Sequence, residues 1–411
     1  MAEFNITSLM QWLDSSPTPF HVVSTAANHL EAASFVRHTS VGHELASSGY
    51  YVRDGALVAW KKGRPGASCR IIGAHTDSPN VRIQPQPDVL SRGWAQLGIE
   101  IYGGVLLNSW LDRDLGISGR IIDKDGNAHL FNVNQPLARI PQLAIHLDRD
   151  VNEKGLVLDR HQHTTPVWGV NAPTFIEWLS ETSGISDISA FDAHLFDVSP
   201  AALLGVDQSL LASGRLDNQV SCWAAISAIT QLDDVENTVV VVLNDHEEVG
   251  SESTTGAAGT LLPAVLDALL RDSGFTESDK YDIFASSWCL SADNAHSVHP
   301  NYPERHDSRH APIPNHGPAV KLNGNQRYAT SSRGAAFLKN LAATNDIPLQ
   351  TFVSRNNMPC GSTIGPITAT SLGIDAIDIG IPQLSMHSAR ELCGALDPIH
   401  LASLMAVFAA S

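Results

Sequence analysis

The stretch Leu243-Asn-Asp-His-Glu-Glu-Val-Gly250 sets two adjacent carboxylates, Glu247 and Glu248, just past an apolar run at 239–243. That run is β-branched and bounded by polar residues, which reads as a short buried strand. Open α/β sheets gather their ligands outside the carboxyl ends of such strands. Both glutamates are therefore expected at a cleft rather than in the core. Neighbouring glutamates can divide labour there, one binding a metal and the other taking a proton from water. Taken alone, a Glu-Glu pair is also what a solvated acidic loop looks like, so the rest of the chain has to decide.

Five short motifs place an acidic or histidine side chain at the end of a strand-like run. They are His75-Thr-Asp77, Leu216-Asp217-Asn218, His246-Glu-Glu248, Ser291-Ala-Asp293 and Met386-His387-Ser388. Two histidines with several carboxylates give mixed nitrogen and oxygen ligation, which suits zinc, cobalt or manganese. Two divalent ions sharing a site need about three protein ligands each, with a carboxylate bridging; the set is large enough. Clustered carboxylates repel one another unless cations neutralise them. In His75-x-Asp77, side chains two apart on an extended segment point the same way. Asp77 could then fix the ring of His75, as the partner of a metal-bound imidazole commonly does.

The elements that must hold these residues follow a recognisable order. Helices are expected at 4–13 and about 22–33, then strands at 57–60 and 69–73 leading into the His75 motif. From residue 84 to about 196 the pattern changes to short alternating segments with several glycines and few helical stretches, including Gly103-Gly104, 117–122 and 129–133. This reads as a β-rich insertion. From about 213 helix and strand alternate again: a helix at 217–232, a strand at 238–243, a helix at 260–271, a strand at 283–290, a helix at 334–343 and a strand at 376–379. Alternation of this kind implies an α/β fold, a mostly parallel sheet covered on both faces. The expected division is a discontinuous catalytic domain, 1–84 with 214–411, and an inserted β-rich dimerisation or lid domain at 85–213.

The 411 residues carry 26 Lys and Arg against 43 Asp and Glu, a net charge of −17. That argues against nucleic acid and anionic membrane as partners. No apolar run of about 18 residues suggests a membrane span, and the N-terminal Met1-Ala-Glu-Phe-Asn-Ile lacks a secretory pattern. The five cysteines are scattered, with no Cys-x-x-Cys pair, which fits a reducing cytoplasm. Two other signals point elsewhere and are set aside. Gly250-Ser-Glu-Ser-Thr-Thr-Gly256 lacks the ending of a phosphate-binding loop, and Cys360 has no base near it in sequence, so it reads as a structural thiol.

These residues resemble the aspartyl aminopeptidase family, within the dinuclear-zinc exopeptidases. The resemblance runs through nearly the whole chain, in Ser16-Pro-Thr-Pro-Phe-His21, Ala74-His-Thr-Asp-Ser-Pro79, Trp110-Leu-Asp-Arg-Asp-Leu115, Arg139-Ile-Pro141, Leu143-Ala-Ile-His-Leu147, Arg215-Leu-Asp-Asn218 and Asp245-His-Glu-Glu-Val-Gly-Ser251. It continues through Ser291-Ala-Asp293, Val298-His-Pro-Asn-Tyr302, Pro359-Cys-Gly-Ser-Thr-Ile-Gly-Pro366 and Met386-His-Ser388. By resemblance, His75 holds one ion and His387 the other, Asp217 bridges them, and Glu248 and Asp293 complete the two shells. Glu247 is then the general base, Asp77 orients the His75 side, and two divalent ions per subunit are implied. The resemblance further implies that His146 reaches a neighbouring subunit's active site and stabilises the transition state, within a tetrahedral dodecamer.

The family name implies peptide substrates with N-terminal Asp or Glu. In so acidic a chain a local cation must supply that preference. Lys321 in Val320-Lys-Leu-Asn323 and Tyr328 in Gln326-Arg-Tyr-Ala329 match family positions near the substrate pocket. The competing readings are a di-zinc exopeptidase, deacylase or carboxypeptidase of other specificity, and a metal-stabilised assembly protein without catalysis. Glu247 separates the last of these, because a structural metal site needs ligands but no spare base.

Overall fold

In a computed structural model of the chain, residues 4–411 are described, the side chain of Glu277 excepted. The first three residues of the N-terminal stretch read above lie outside them. The main body is a nine-stranded sheet. Its centre is Thr238–Asn244, Cys69–His75, Trp288–Ala292 and Asp375–Gly380, and each pair of neighbours in that series is parallel. The antiparallel pairings lie further out, where Ser48–Arg53 meets Ala56–Lys61, where Ala56–Lys61 meets Thr238–Asn244 and where Ala319–Leu322 meets Asp375–Gly380.

The strand Thr238–Asn244 shows why both faces must be covered. Val239, Val241 and Leu243 pack into one apolar cluster, with the helices Ile6–Ser15, Pro19–Ala32, Leu216–Thr230 and Asp397–Ala410. Val240 and Val242 pack into another, with Leu261–Asp272. Successive side chains on a strand point to opposite faces, so an unbroken valine run can only be a strand buried on both sides. The expected mostly parallel, doubly covered sheet is what the chain forms.

One expected element is different. The strand read at 283–290 is the end of a helix, Glu277–Ser286, followed by the strand Trp288–Ala292. Thr276 and Asp279 cap that helix reciprocally, and Ile283 and Phe284 pack beneath the sheet from its last turn. Two serines, Ser286 and Ser287, sit at the join between helix and strand, and the expected strand runs across them.

A second sheet of six antiparallel strands is built from Asn80–Ser91, Trp94–Tyr102, Leu115–Asp123, Ala128–Ala138, Val167–Gly169 and Ile188–Asp197. It packs on the helix Phe175–Ser183 through Phe175 and Leu179. A third, five-stranded sheet joins Ala202–Leu204, Leu210–Ser213, Glu391–Gly394, Pro382–Leu384 and Ala295–His296. The segment 202–213, grouped with the insertion in the sequence reading, thus pairs with strands from the C-terminal part of the chain. Among the described residues no helix is long and apolar enough to cross a membrane.

Candidate metal centre

The carboxyl ends of the central strands converge on one spot. His75 is the last residue of Cys69–His75, Asp293 follows Trp288–Ala292, and Glu247 and Glu248 follow Thr238–Asn244 by three and four residues. Asp217 comes from the start of Leu216–Thr230, where its own φ/ψ is not yet helical and its bond to Asn218 is cis. His387 comes from the turn between Pro382–Leu384 and Glu391–Gly394. Arg215, His246 and His387 all have positive φ, at 60°, 60° and 66°. For residues other than glycine this conformation costs about 1–3 kcal/mol and tends to occur where function requires it.

The distances carry the chemistry. His75 Nε2 stands 3.5 Å from one Asp217 oxygen and 3.7 Å from Asp293. His387 Nε2 stands 3.6 Å from the other Asp217 oxygen and 3.4 Å from Glu248. Two atoms each about 2.1 Å from one tetrahedral ion lie roughly 3.4 Å apart. The gaps are therefore those of ligands sharing an ion. Oδ1 of Asp217 is buried and accepts no hydrogen bond, an expensive arrangement unless a cation completes it. Three ligand sets fall within 4.8 Å: His75, Asp217 and Asp293; Asp217, Glu248 and His387; and His75 with Glu247 and Glu248. Asp217 belongs to the first two, so a dinuclear centre bridged by that carboxylate fits the residues present.

Both imidazoles are held in the same sense. His75 Nδ1 lies 3.0 Å from the Asp77 carbonyl oxygen, and His387 Nδ1 lies 3.1 Å from that of Gly104. A carbonyl can only accept, so each Nδ1 carries the proton and each Nε2 faces the carboxylates. Asp77 does more than orient a ring. Its Oδ1 accepts the N–H of Glu247 at 3.1 Å and its Oδ2 that of Glu248 at 3.0 Å, while the Tyr102 hydroxyl donates to Oδ2 at 2.8 Å. One carboxylate thus fixes the turn that presents both glutamates. Tyr102 ends a strand of the six-stranded sheet, and the glycines after it bring that sheet against the centre. A Cβ on Gly103 would meet Glu248 at 3.1 Å, and Gly103 has φ +74°, so glycine is required twice over.

Without ions the electrostatics rearrange the protons. Burial alone would lower His75, but the carboxylates of Asp217, Asp293 and Asp77 raise it well above its usual value. For His387, burial is likewise outweighed by Asp217 and Glu248, and the pKa is raised to about 10. Burial pushes Glu247 up to about 7, with Asp293, Asp217 and Asp77 adding to the shift and His75 opposing it. Burial and then the Asp217 charge push Glu248 well up. Asp77 stays below the carboxylate range despite burial, through His75 and Tyr102. Cations held among these groups would take the place of protons on them.

The remaining candidates are placed less simply. Lys321 is buried, and Nζ donates to the carbonyls of Asp293 at 2.8 Å and Asn294 at 3.0 Å while lying 3.5 Å from the Asp293 carboxylate. Its ammonium sits over the ring of Tyr328, 4.9 Å from the centroid. His146 is not brought to the cluster. It lies in an exposed turn, and among the described residues no hydrogen bond or ion pair is found for it. Its apolar neighbours Leu143, Ile145 and Leu147 are exposed as well. Sequence reasoning passed over Tyr102, Asn294, Gln383 and Glu391, which hold the ligand loops. Asn294 and Glu391 each follow a candidate ligand closely, by one and four residues, and that proximity is the signal that could have flagged them.

Comparison with known proteins agrees with the geometry. The family model for the aminopeptidase I zinc metalloproteases (M18) matches residues 12–408. A probable M18 family aminopeptidase 2 of Streptomyces coelicolor is 47% identical over 415 residues, covering 97% of this chain and 96% of the relative. Among solved structures, Ape4 in its cryo-EM complex with Nbr1 superposes with a TM-score of 0.93 at 34% identity, covering 98% of this chain and 85% of that one. The mApe1 dodecamer of S. cerevisiae superposes with a TM-score of 0.84 at 29% identity, covering 98% and 95%. The chain belongs to the M18 family of zinc metalloproteases and is a metallo-aminopeptidase.

Proposed function

We propose that the chain removes N-terminal residues from peptides, Asp and Glu in preference, at a centre of two divalent cations. Zinc is the first choice of metal, with cobalt or manganese as alternatives. The observation that carries this reading is the placement of the two Asp217 oxygens, one 3.5 Å from His75 and the other 3.6 Å from His387. His75 and Asp293 would hold one ion, His387 and Glu248 the other, and Asp217 would bridge. When bound, such ions lower the pKa of a shared water and polarise the scissile carbonyl.

The chain's own residues supply the rest. Glu247 is the general base: it lies beside the ligand set, placed to take a proton from water and return it to the leaving amine. Asp77 keeps Glu247 in place through the backbone and keeps His75 in one orientation. Lys321, against Tyr328, is the counter-charge proposed for an acidic substrate side chain.

His146 is proposed to act from a neighbouring subunit, adding a donor to the developing oxyanion. Its exposed turn and the exposed Leu143, Ile145 and Leu147 around it support a second copy covering this surface. The likeness to the mApe1 dodecamer supports a tetrahedral dodecamer built from dimers. Residues 85–213 would then form the dimerisation and lid domain, and 1–84 with 214–411 the catalytic one. Five free cysteines support a reducing cytoplasm. The test is hydrolysis of Asp-, Glu- and Leu-N-terminal substrates before and after chelation, with metal analysis. Metal-dependent cleavage fastest on Asp and Glu is expected; cleavage that survives complete metal removal would refute the reading.

A further inference from the structure

The small five-stranded sheet has a peculiar relation to the centre. Its strand Leu210–Ser213 runs into the loop carrying Asp217, Ala295–His296 begins two residues after Asp293, and His387 lies between Pro382–Leu384 and Glu391–Gly394. Three of the candidate ligands are thus carried by loops entering or leaving one small sheet. Across it runs a buried polar chain. Glu391, 2% exposed, accepts the N–H of Asp217 on one carboxylate oxygen at 3.0 Å and the N–H of His387 on the other at 2.8 Å. Gln383, 1% exposed, donates its amide to Glu391 at 3.3 Å. Asn294, 3% exposed, donates to the Gln383 carbonyl oxygen at 2.8 Å and to the Leu216 backbone carbonyl at 2.9 Å.

We infer that Glu391, with Gln383 and Asn294, is a positioning device that fixes the separation of the Asp217, Asp293 and His387 loops and so sets the affinity of the centre for its ions. A fully buried carboxylate is costly to keep unless its oxygens are met by donors, and here two of those donors are the backbone amides of ligand residues. Only an acceptor at both oxygens can hold the two amides at once. Glutamine is isosteric but presents an NH₂ to one of them, turning an attraction into a repulsion at an unchanged volume. Partners in this outer layer typically change metal affinity or activity by 10–100-fold when altered.

The inference rests on the dinuclear reading above, and metal binding without substrate separates the two. A wild-type chain that binds two ions but hydrolyses nothing would defeat the proposed function and leave this inference standing. The test uses the full-length protein stripped by chelation and titrated with Zn²⁺ against a chromophoric chelator, and loaded in parallel with Co²⁺ for its visible spectrum. Glu391→Gln is expected to bind at least about tenfold more weakly and to shift the cobalt bands, with circular dichroism unchanged. Gln383→Leu and Asn294→Ala, which keep Glu391 and both of its backbone donors, should weaken binding in the same direction, and they decide the matter if Glu391→Gln does not fold. Wild-type affinity and cobalt spectrum in the folded variants would overturn the inference.

Discussion

His75 closes a central strand of the large sheet with its side chain 1% exposed, surrounded by Asp77, Asp217 and Asp293, whereas His387 sits on a left-handed turn outside the small sheet with 29% of its side chain exposed. The first is held by neighbours on its own strand and the strands beside it. The second is held by the carbonyl of Gly104, two residues past a strand of the six-stranded sheet, and by Glu391 beneath its backbone. A buried ligand among three carboxylates cannot easily lose its counter-charge, since unpaired charges in such surroundings are expensive. A half-exposed ligand on a turn can exchange with water. The comparison teaches that the two halves of one centre should differ in how firmly they keep an ion.

The largest effect should come from His75→Ala. It removes the imidazole that meets Asp77, Asp217 and Asp293 together, and the variant should purify without stoichiometric metal and lose at least about 10³-fold in hydrolysis. His387→Ala should keep close to one ion per subunit and lose about 10²-fold. Atomic-emission metal analysis of both variants checks this, and equal metal loss in the two would break the comparison. Next, chelation of the wild type should release metal in two phases of similar amplitude, the faster from the His387 half. A single phase would remove the distinction.

A pH series sharpens the same contrast. The folded-state pKa values of His75 and His387 lie above the unfolded value, so their stabilisation of the metal-free chain is complete below about pH 6.5 and is lost as pH rises through the folded value, about 10 for His387. Glu247, raised to about 7, acts in the same direction from lower pH. The chelated protein should therefore melt at falling temperature from about pH 6.5 to 10, and bound metal should flatten that slope because cations replace the protons. A chelated protein whose melting temperature rises over this range would contradict the assignment. The smallest effect expected is Lys321→Ala, about tenfold on Asp and Glu substrates and less on Leu, the worth of one hydrogen bond to a charged group at about 1.5 kcal/mol. Equal losses on all three would make Lys321 a holder of Asp293, as its two carbonyl contacts allow.

The candidate ligands were legible by residue type beside strand-like runs, their separate roles came from the family resemblance, and the structure brings them within 4.8 Å of one another in sets of three. The valine run at 239–242 likewise declares a strand covered on both faces. What supports the ligands was not legible, for a physical reason. Tyr102 reaches the Asp77 carboxylate from another sheet, and Glu391 meets the backbone N–H of Asp217 from the far end of the chain, a group that carries no residue identity. The small sheet is equally hidden, because strands of two to four residues scattered between 202 and 394 leave no periodic pattern. At 283–290 a helix end and a strand start are both apolar and only Ser286 and Ser287 part them, a break too short to set the two apart in the pattern. His146 is the reverse case: its motif is plain, but among the described residues no hydrogen bond or ion pair is found for it.

The central claim is that Glu247 is a base beside a metal centre that other residues hold. Glu247→Gln tests it most directly, by measuring peptide hydrolysis, metal per subunit and assembly state on one preparation. The account predicts hydrolysis lower by about 10²–10⁴-fold with metal content and assembly unchanged. Full activity in that variant would contradict it.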